Sequence, residues 1–153
     1  CTEYWFPSAT AAEVEVDTQT GQVRVLQLIS VADTGTAINP RHCEQQLQGA
    51  AIMHLGLTMF EEMIFDEGQL VNGSLLDYQV VSFKDMPESV RPIVVQVPHE
   101  DGPFGAKGAG ETGALTVAPA VANAIQDACG ARIRHLPITP EKVLRALEES
   151  KNH

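Results

Sequence analysis

The chain has 153 residues, of which 44% are hydrophobic and 20% charged, so it can form a folded core and is too apolar to be disordered. Its 20 acidic residues outnumber 10 lysines and arginines and give a formal net charge of −10 at pH 7. This acidity argues against nucleic acid and anionic membrane surfaces as partners. The length predicts a single domain over residues 1–153.

The N-terminus, from Cys1 to Trp5, has neither the basic region nor the apolar core of a signal peptide. No apolar run reaches the roughly 20 residues that a spanning helix needs. The first residue is not Met, so we expect a piece of a longer protein. Cys1, Cys43 and Cys129 are too few and too scattered for a disulfide framework, which favours a reducing, cytoplasmic location.

Two hairpins are predicted from local patterns. Residues 12–17 alternate apolar and acidic side chains, which is typical of a half-buried strand. A turn ending at Gly21 follows, and residues 22–31 are rich in β-branched side chains, so the two segments predict an antiparallel hairpin. Residues 61–65 and 69–71 flank a short turn sequence and predict a second hairpin.

The first helix is predicted to begin at Pro40. Asn39 can cap it, and proline suits its first position, where no N–H is needed. Gly49 and Gly56 lie seven residues apart and fall on nearly one face of this helix. Each glycine weakens a helix by about 1 kcal/mol relative to alanine. We therefore expect something to pack very close to that face.

The second half of the chain reads as mixed structure. Residues 75–92 are predicted to be irregular because prolines interrupt them, and residues 93–97 form a short strand. One helix is expected over residues 116–129, ending at Gly130, and a last helix begins at Pro140. The fold class is therefore α+β: a mostly antiparallel sheet with hairpins and three helices packed on it.

Residues 102–113, here called the glycine segment, contain five glycines in twelve residues. Successive exposed peptide N–H groups near a helix entrance bind anions, so even an acidic chain can hold a phosphate-bearing cofactor through its main chain. Glu111 lies among peptide groups and small apolar residues, where a poorly solvated carboxylate makes a good general base. The alternative is that Glu111 caps the following helix or pairs with Lys107.

A dinucleotide-binding module is the weakest alternative. Gly108, Gly110 and Gly113 fit the string G-x-G-x-x-G, but the predicted strand ends at Val97, well before the motif. The acidic residue expected about 20 positions on is also absent. No histidine or cysteine spacing matches a metal site, so no metal ligand is predicted from this chain.

Longer stretches resemble the C-terminal end of the molybdenum-binding subunit of the xanthine dehydrogenase and aldehyde oxidoreductase family. The stretch from Gly102 to Glu111 carries this resemblance together with residues 118–128 and 136–144. Earlier motifs follow in the family's order: Ala12–Asp17, Asp33-Thr34-Gly35, Ile38-Asn39-Pro40, Gln46-x-x-Gly49 and Leu76-Asp77-Tyr78. The resemblance runs from about Glu13 to Leu147, nearly the whole chain.

The resemblance implies a molybdenum hydroxylase that oxidises an aldehyde or a purine-like N-heterocycle with oxygen from water. Its cofactor would be molybdopterin carrying molybdenum, in the cytosine dinucleotide form of bacterial enzymes, shared with sequence upstream. Glu111 would be the general base, and Gln46 would hydrogen-bond the pterin. The main chain lying against the cofactor would be that of Lys107, Gly108, Ala109 and Gly110.

The resemblance also implies partners. These are the remainder of the molybdenum-binding subunit and iron–sulfur and FAD groups on other chains or domains, in a hetero- or homo-oligomer that acts on a small molecule. This chain alone is not expected to turn over. It departs from the family at Gln45, Ser82-Phe83 and Thr112, the last standing where proline is frequent. A non-catalytic assembly module, in which the glycine segment only packs against a partner, is the remaining alternative.

Overall fold

A computed structural model describes residues 5–151, so Cys1 lies outside the described part. The regular elements are β1 (Ser8–Val16), β2 (Val23–Asp33), α1 (Pro40–Met59), β3 (Phe65–Asp66), β4 (Gln69–Leu70), β5 (Ser89–Val95), α2 (Val117–Cys129) and α3 (Pro140–Lys151). Within residues 5–151, none of the helices has the length and apolar character needed to cross a membrane.

The main sheet has three strands, with β2 in the centre. β1 pairs with β2 in antiparallel fashion from Ser8↔Ala32 to Val16↔Val23, which confirms the first predicted hairpin. β5 pairs with β2 in parallel, because α1 and the second hairpin carry the chain back to the same end of the sheet. The α+β class is confirmed. The parallel pair was not anticipated, since local patterns carry no information about it.

β5 begins at Ser89, four residues before the predicted strand. The prediction that residues 75–92 are irregular is therefore wrong at its end. Pro92 lies inside β5, opposite Ser30 of β2. β5 is an edge strand, and an edge tolerates proline because one side of its backbone has no strand to donate to.

The second hairpin is confirmed as β3 and β4, with Phe65 opposite Leu70. Glu67 and Gly68 between them have φ angles of 45° and 83°. Two left-handed residues in succession form the tight turn whose twist suits a two-residue hairpin.

All three predicted helices are confirmed. Asn39 Oδ1 accepts the N–H of His42 at 3.1 Å and caps α1, with Pro40 at its first position. α2 ends at Gly130, whose φ of 81° is the left-handed conformation that glycine adopts without cost. α3 begins at Pro140, as expected.

One apolar cluster holds the helices to the sheet. Its buried members include Leu28 of β2, Ala51 and Leu55 of α1, Val121 and Ile125 of α2, and Val143 and Leu147 of α3. Burial of each leucine, isoleucine or valine among them stabilises a fold by roughly 1.5–3 kcal/mol before entropy is counted. This core fixes β2, the second half of α1, α2 and α3 relative to one another.

Candidate functional site

The glycine segment joins β5 to α2 and is tied to the chain that leaves β2. Gly105 carbonyl oxygen accepts the N–H of Thr36 at 2.8 Å. A methyl group on Gly35, whose φ is 65°, would lie 2.4 Å from that same oxygen. Only glycine permits this approach, so Gly35 lets the segment lie directly on the backbone that follows β2.

A buried ion pair lies at this junction. Lys107 Nζ donates to Asp33 Oδ2 at 2.6 Å, and the two side chains are only 8% and 9% exposed. Asp33 Oδ1 accepts the N–H groups of Gly35 at 2.9 Å and Val97 at 3.0 Å. Burial raises the pKa of Asp33, but the hydrogen bond from Lys107 and the two N–H donors outweigh it and hold the pKa below its ordinary value.

Sequence reasoning did not single out Asp33 as a functional residue. The available signal was its position, since an acidic residue that ends an apolar strand just before Thr-Gly needs a partner if it is buried. The partner lies 74 residues further along the chain, so no local pattern could have supplied it.

The other end of the glycine segment is held between β2 and α1. A methyl group on Gly113 would lie 2.5 Å from Ser30 Oγ and 3.2 Å from the carbonyl oxygen of Leu47. Thr112 and Gly113 are buried. Leu47 directly follows Gln46, so the structure brings the turn of α1 that carries Gln46 against the end of the glycine segment.

Glu111 lies between these two anchored ends and is exposed. The structural alternatives for it are wrong. Lys107 pairs with Asp33 instead, and α2, which begins at Val117, has Thr116 as its N-cap, with no side-chain capping bond. Its own carbonyl accepts the N–H of Ala114 at 3.1 Å. The expected desolvation of Glu111 is also not found within residues 5–151, so any exclusion of water from its carboxylate must come from another polypeptide segment or a bound group.

At two glycines, neither packing nor backbone conformation within residues 5–151 requires the absence of a side chain. A methyl group on Gly49 or on Gly110 would meet nothing within 4 Å, and neither residue has a positive φ. Gly56, in contrast, is buried, and a methyl group there would lie 2.5 Å from Glu61 Oε1. The close packing expected on this face of α1 is therefore found at Gly56, whereas no described residue packs closely on Gly49 or on Gly110.

The predicted cofactor contacts fall into two kinds. Gln46 is exposed on α1, three residues before Gly49 and on the same face, and its carboxamide can donate and accept at once. Gly108 and Gly110 are exposed and Ala109 is half-buried, so this stretch of main chain lies at the surface. Lys107 differs, because its N–H donates to the carbonyl of Thr34 at 3.0 Å and its ammonium is held by Asp33.

Buried hydroxyl groups lie beneath this part of the fold. Ser30 Oγ, Thr34 Oγ1 and Thr112 Oγ1 are buried and have no hydrogen-bond partner within the described part of the chain. Buried polar groups without partners destabilise a fold, so they are kept mainly where something other than stability selects them.

The context that a dinucleotide-binding fingerprint requires is not met. β5 ends at Val95 and α2 begins at Val117, with Gly108, Gly110 and Gly113 well inside the irregular stretch between them. The fingerprint instead occupies the tight turn directly between a strand and a helix, with the phosphates at the helix N-terminus.

Comparison with known proteins identifies the class. The family model described as the molybdopterin cofactor-binding domain matches residues 2–87, which is more than half of the chain. The chain therefore belongs to this family. The predicted likeness to molybdenum-binding subunits of the xanthine dehydrogenase and aldehyde oxidoreductase type is confirmed by the relatives that follow.

Two curated relatives and one solved structure illustrate the match. The probable hypoxanthine oxidase XdhD of Escherichia coli is 40% identical over 149 residues, which are 96% of this chain and 16% of the relative. The aldehyde oxidoreductase molybdenum-binding subunit PaoC of Escherichia coli is 35% identical over 139 residues, 90% of this chain and 19% of the relative. Quinoline 2-oxidoreductase from Pseudomonas putida 86 superposes with a TM-score of 0.80 at 35% identity, covering 90% of this chain and 18% of that one.

The chain thus spans between a sixth and a fifth of the length of these relatives, at 16% and 19%. The alignment with 96% coverage includes the glycine segment, which lies beyond the residues matched by the family model.

Proposed function

We propose that this chain is part of a molybdenum hydroxylase, in which it supplies the general base, Glu111, and one wall of the pterin site. The proposal rests on the exposure of Glu111 and on its lack of a structural partner within the described part of the chain. Its carboxylate is exposed and neither caps α2 nor pairs with Lys107, yet it lies on a segment anchored at both ends. A side chain with no structural task in a fixed position suits a role toward a bound group.

Different residues of this chain would have different roles toward the cofactor and the substrate. A molybdenum pterin, when bound, supplies two-electron redox chemistry and an oxygen that comes from water. The carboxamide of Gln46 would hydrogen-bond the heterocycle, and the main chain of Gly108, Ala109 and Gly110 would lie against the cofactor. The carboxylate of Glu111 would accept the proton that the oxygen nucleophile gives up as it attacks the substrate carbon.

The open backbone at Gly49 and Gly110 supports the fit of a large cofactor to this surface. Gly49 lies inside a helix, where glycine costs about 1 kcal/mol relative to alanine, and nothing in the described chain explains it. A planar group lying against that face of α1 would explain it. The N–H and ammonium groups of Lys107 are engaged within the chain. Lys107 would therefore support the glycine segment and would not bind the cofactor through its charge.

We further propose an aldehyde or an N-heterocycle as the substrate class, because hypoxanthine, aldehydes and quinoline appear in the names of the relatives and the structural neighbour. The cofactor would be the cytosine dinucleotide form, bound jointly with the remainder of the molybdenum-binding subunit. Iron–sulfur and FAD groups would lie on partner chains or domains of a cytoplasmic oligomer.

An assembly module without catalysis is the second candidate, and exposed apolar side chains favour it. Leu76, Phe104 and Leu115 are 92%, 88% and 79% exposed. Exposed apolar residues in such number mark a surface that another polypeptide covers. Under this alternative the glycine segment would only pack against a partner, and Glu111 would have no part in the reaction.

The proposal is tested by producing the complete subunit that contains this chain, with its partners, and measuring molybdenum and pterin per subunit. Gln46→Ala should lower the pterin content several-fold, since it removes a hydrogen-bonding group from the site. Gln48→Ala is the matched control, because Gln48 is also an exposed glutamine on α1. A wild-type subunit that folds and binds no molybdopterin would refute the proposal.

A further inference from the structure

The carboxylate of Asp33 joins three segments of the chain at one point. Its Oδ1 accepts the N–H of Gly35, just beyond β2, and the N–H of Val97, just beyond β5. Its Oδ2 accepts the Nζ of Lys107, in the glycine segment. Three segments that are far apart in the sequence therefore share one buried acceptor.

Both the main-chain N–H and the ammonium group of Lys107 are engaged at this junction. Its main-chain N–H donates to the carbonyl of Thr34 at 3.0 Å, and its side chain is 8% exposed. The buried carboxylate of Asp33 matches its charge. An enclosed and neutralised ammonium is not offered to an anionic ligand. The resemblance had placed only the main chain of Lys107 against the cofactor, and its N–H donates to Thr34.

Both ends of the exposed part of the glycine segment rest on the same strand. Lys107 is held by Asp33, and Gly113 lies against Ser30, so both contacts fall near the end of β2. Glu111 lies between the two points. The position of its carboxylate therefore depends on where β2 holds Lys107 and Gly113.

We propose that Asp33 and Lys107 are positioning residues that place Glu111, and that neither binds the cofactor nor takes part in proton transfer. This inference rests on the proposed function, because it assigns Glu111 a position that matters for the reaction. It also changes the role of Lys107 from a cofactor contact to a structural support of the glycine segment.

The test uses the complete cofactor-loaded subunit with Lys107→Met, which removes the charge and keeps most of the side-chain length, and with Lys107→Arg, which keeps the charge. Arg24→Met is the matched control, because Arg24 forms an exposed ion pair with Glu88 at 2.7 Å. Amide hydrogen exchange over residues 104–113 and the kinetic constants kcat and KM are measured for each variant.

Lys107→Met should raise exchange in residues 104–113 by about tenfold or more and lower kcat by a similar factor with little change in KM, because a misplaced base affects the chemical step. Lys107→Arg should restore most of the exchange protection and most of kcat. Arg24→Met should change neither the exchange rate nor kcat. If Lys107→Met does not fold, Lys107→Gln serves instead, since its carboxamide removes the charge and keeps a hydrogen-bond donor for Asp33.

Other results would overturn the inference. Unchanged exchange with a lost pterin content in Lys107→Met would make Lys107 a cofactor ligand. Full kcat in Lys107→Met, beside an inactive Glu111→Gln, would remove the positioning role and leave the proposed function standing. An active Glu111→Gln would refute the proposed function, and the exchange measurement, which needs no turnover, would still show whether the pair holds the segment.

Discussion

Gly113 and Ser30 are in such close contact that a single methyl group could not be placed between them. A Cβ atom on Gly113 would lie 2.5 Å from Ser30 Oγ, and the backbone of Leu47 closes the other side at 3.2 Å. The glycine segment is therefore pressed against both β2 and α1 just after Glu111. Close packing of backbone on a strand and a helix leaves little freedom for the residues that precede it.

Gly113→Ala should destabilise the chain by about 1–3 kcal/mol, because the added methyl group forces the segment away from β2. Gly110→Ala is the control, since a methyl group there meets nothing within 4 Å. Urea unfolding of both variants measures the free energies. Equal free energies of unfolding for the two variants would show that the backbone at Gly113 can move to accommodate a methyl group without loss of stability.

Gly49→Ala should have opposite effects in two settings. In the chain alone it should raise the free energy of unfolding by about 1 kcal/mol, because alanine is the better helix former and the position is open. In the complete subunit it should lower the molybdenum and pterin content, if a bound group lies against that face of α1. Thermal unfolding and metal analysis measure the two effects.

Gly56→Ala provides the comparison on the same helix. Gly56 is buried, and a methyl group there would lie 2.5 Å from Glu61 Oε1 and 3.3 Å from Val81, so no gain in stability is expected. Full cofactor content in Gly49→Ala would mean that the open face of α1 at Gly49 is not part of the site.

Acid should weaken the Asp33–Lys107 pair. The pKa of Asp33 in the folded chain is below its ordinary value of 3.8, so the pair contributes stability above about pH 4 that is lost as the pH falls through the folded value. Asp33→Asn should cost about 3–5 kcal/mol at pH 7, because it leaves the buried ammonium of Lys107 without a partner. The difference in free energy of unfolding between wild type and Asp33→Asn should become smaller below about pH 4.

Urea unfolding of wild type and Asp33→Asn at pH 7, 5, 4 and 3 measures this difference directly (roughly the range over which carboxylates titrate). Other acidic groups titrate in both proteins and cancel in the comparison. A difference that stays constant over the whole range would contradict a depressed pKa at Asp33.

The chain without a partner should self-associate. Phe104 and Leu115 flank the exposed part of the glycine segment, and both side chains are largely exposed. The double variant Phe104→Ser/Leu115→Ser should shift the chain toward monomer, because it removes apolar surface from this region. Sedimentation velocity over a range of concentrations measures the shift. A wild-type chain that stays monomeric at all concentrations would argue against the burial of this apolar surface by another polypeptide.

Local chemistry made much of the fold predictable. The alternation over residues 12–17 and the turn at Gly21 predicted the first hairpin, and the cap at Asn39 and the stop at Gly130 predicted the bounds of two helices. Each of these signals acts within a few residues, so the sequence carries it directly.

The rest depends on contacts between distant segments. The parallel pairing of β2 with β5 requires a crossover whose direction no local pattern specifies. The Asp33–Lys107 pair spans 74 residues. The expected burial of Glu111 is not found, because its sequence neighbours are small and leave its side chain exposed within residues 5–151.

The central claim is that Glu111 is the general base. The most direct measurement is turnover by the complete subunit carrying Glu111→Gln, with molybdenum and pterin content determined on the same preparation. We expect full cofactor content and a loss of kcat of at least about 10²-fold, since the carboxamide keeps the shape of the side chain and cannot accept the proton. A Glu111→Gln subunit that holds its cofactor and turns over at nearly the wild-type rate would contradict the account.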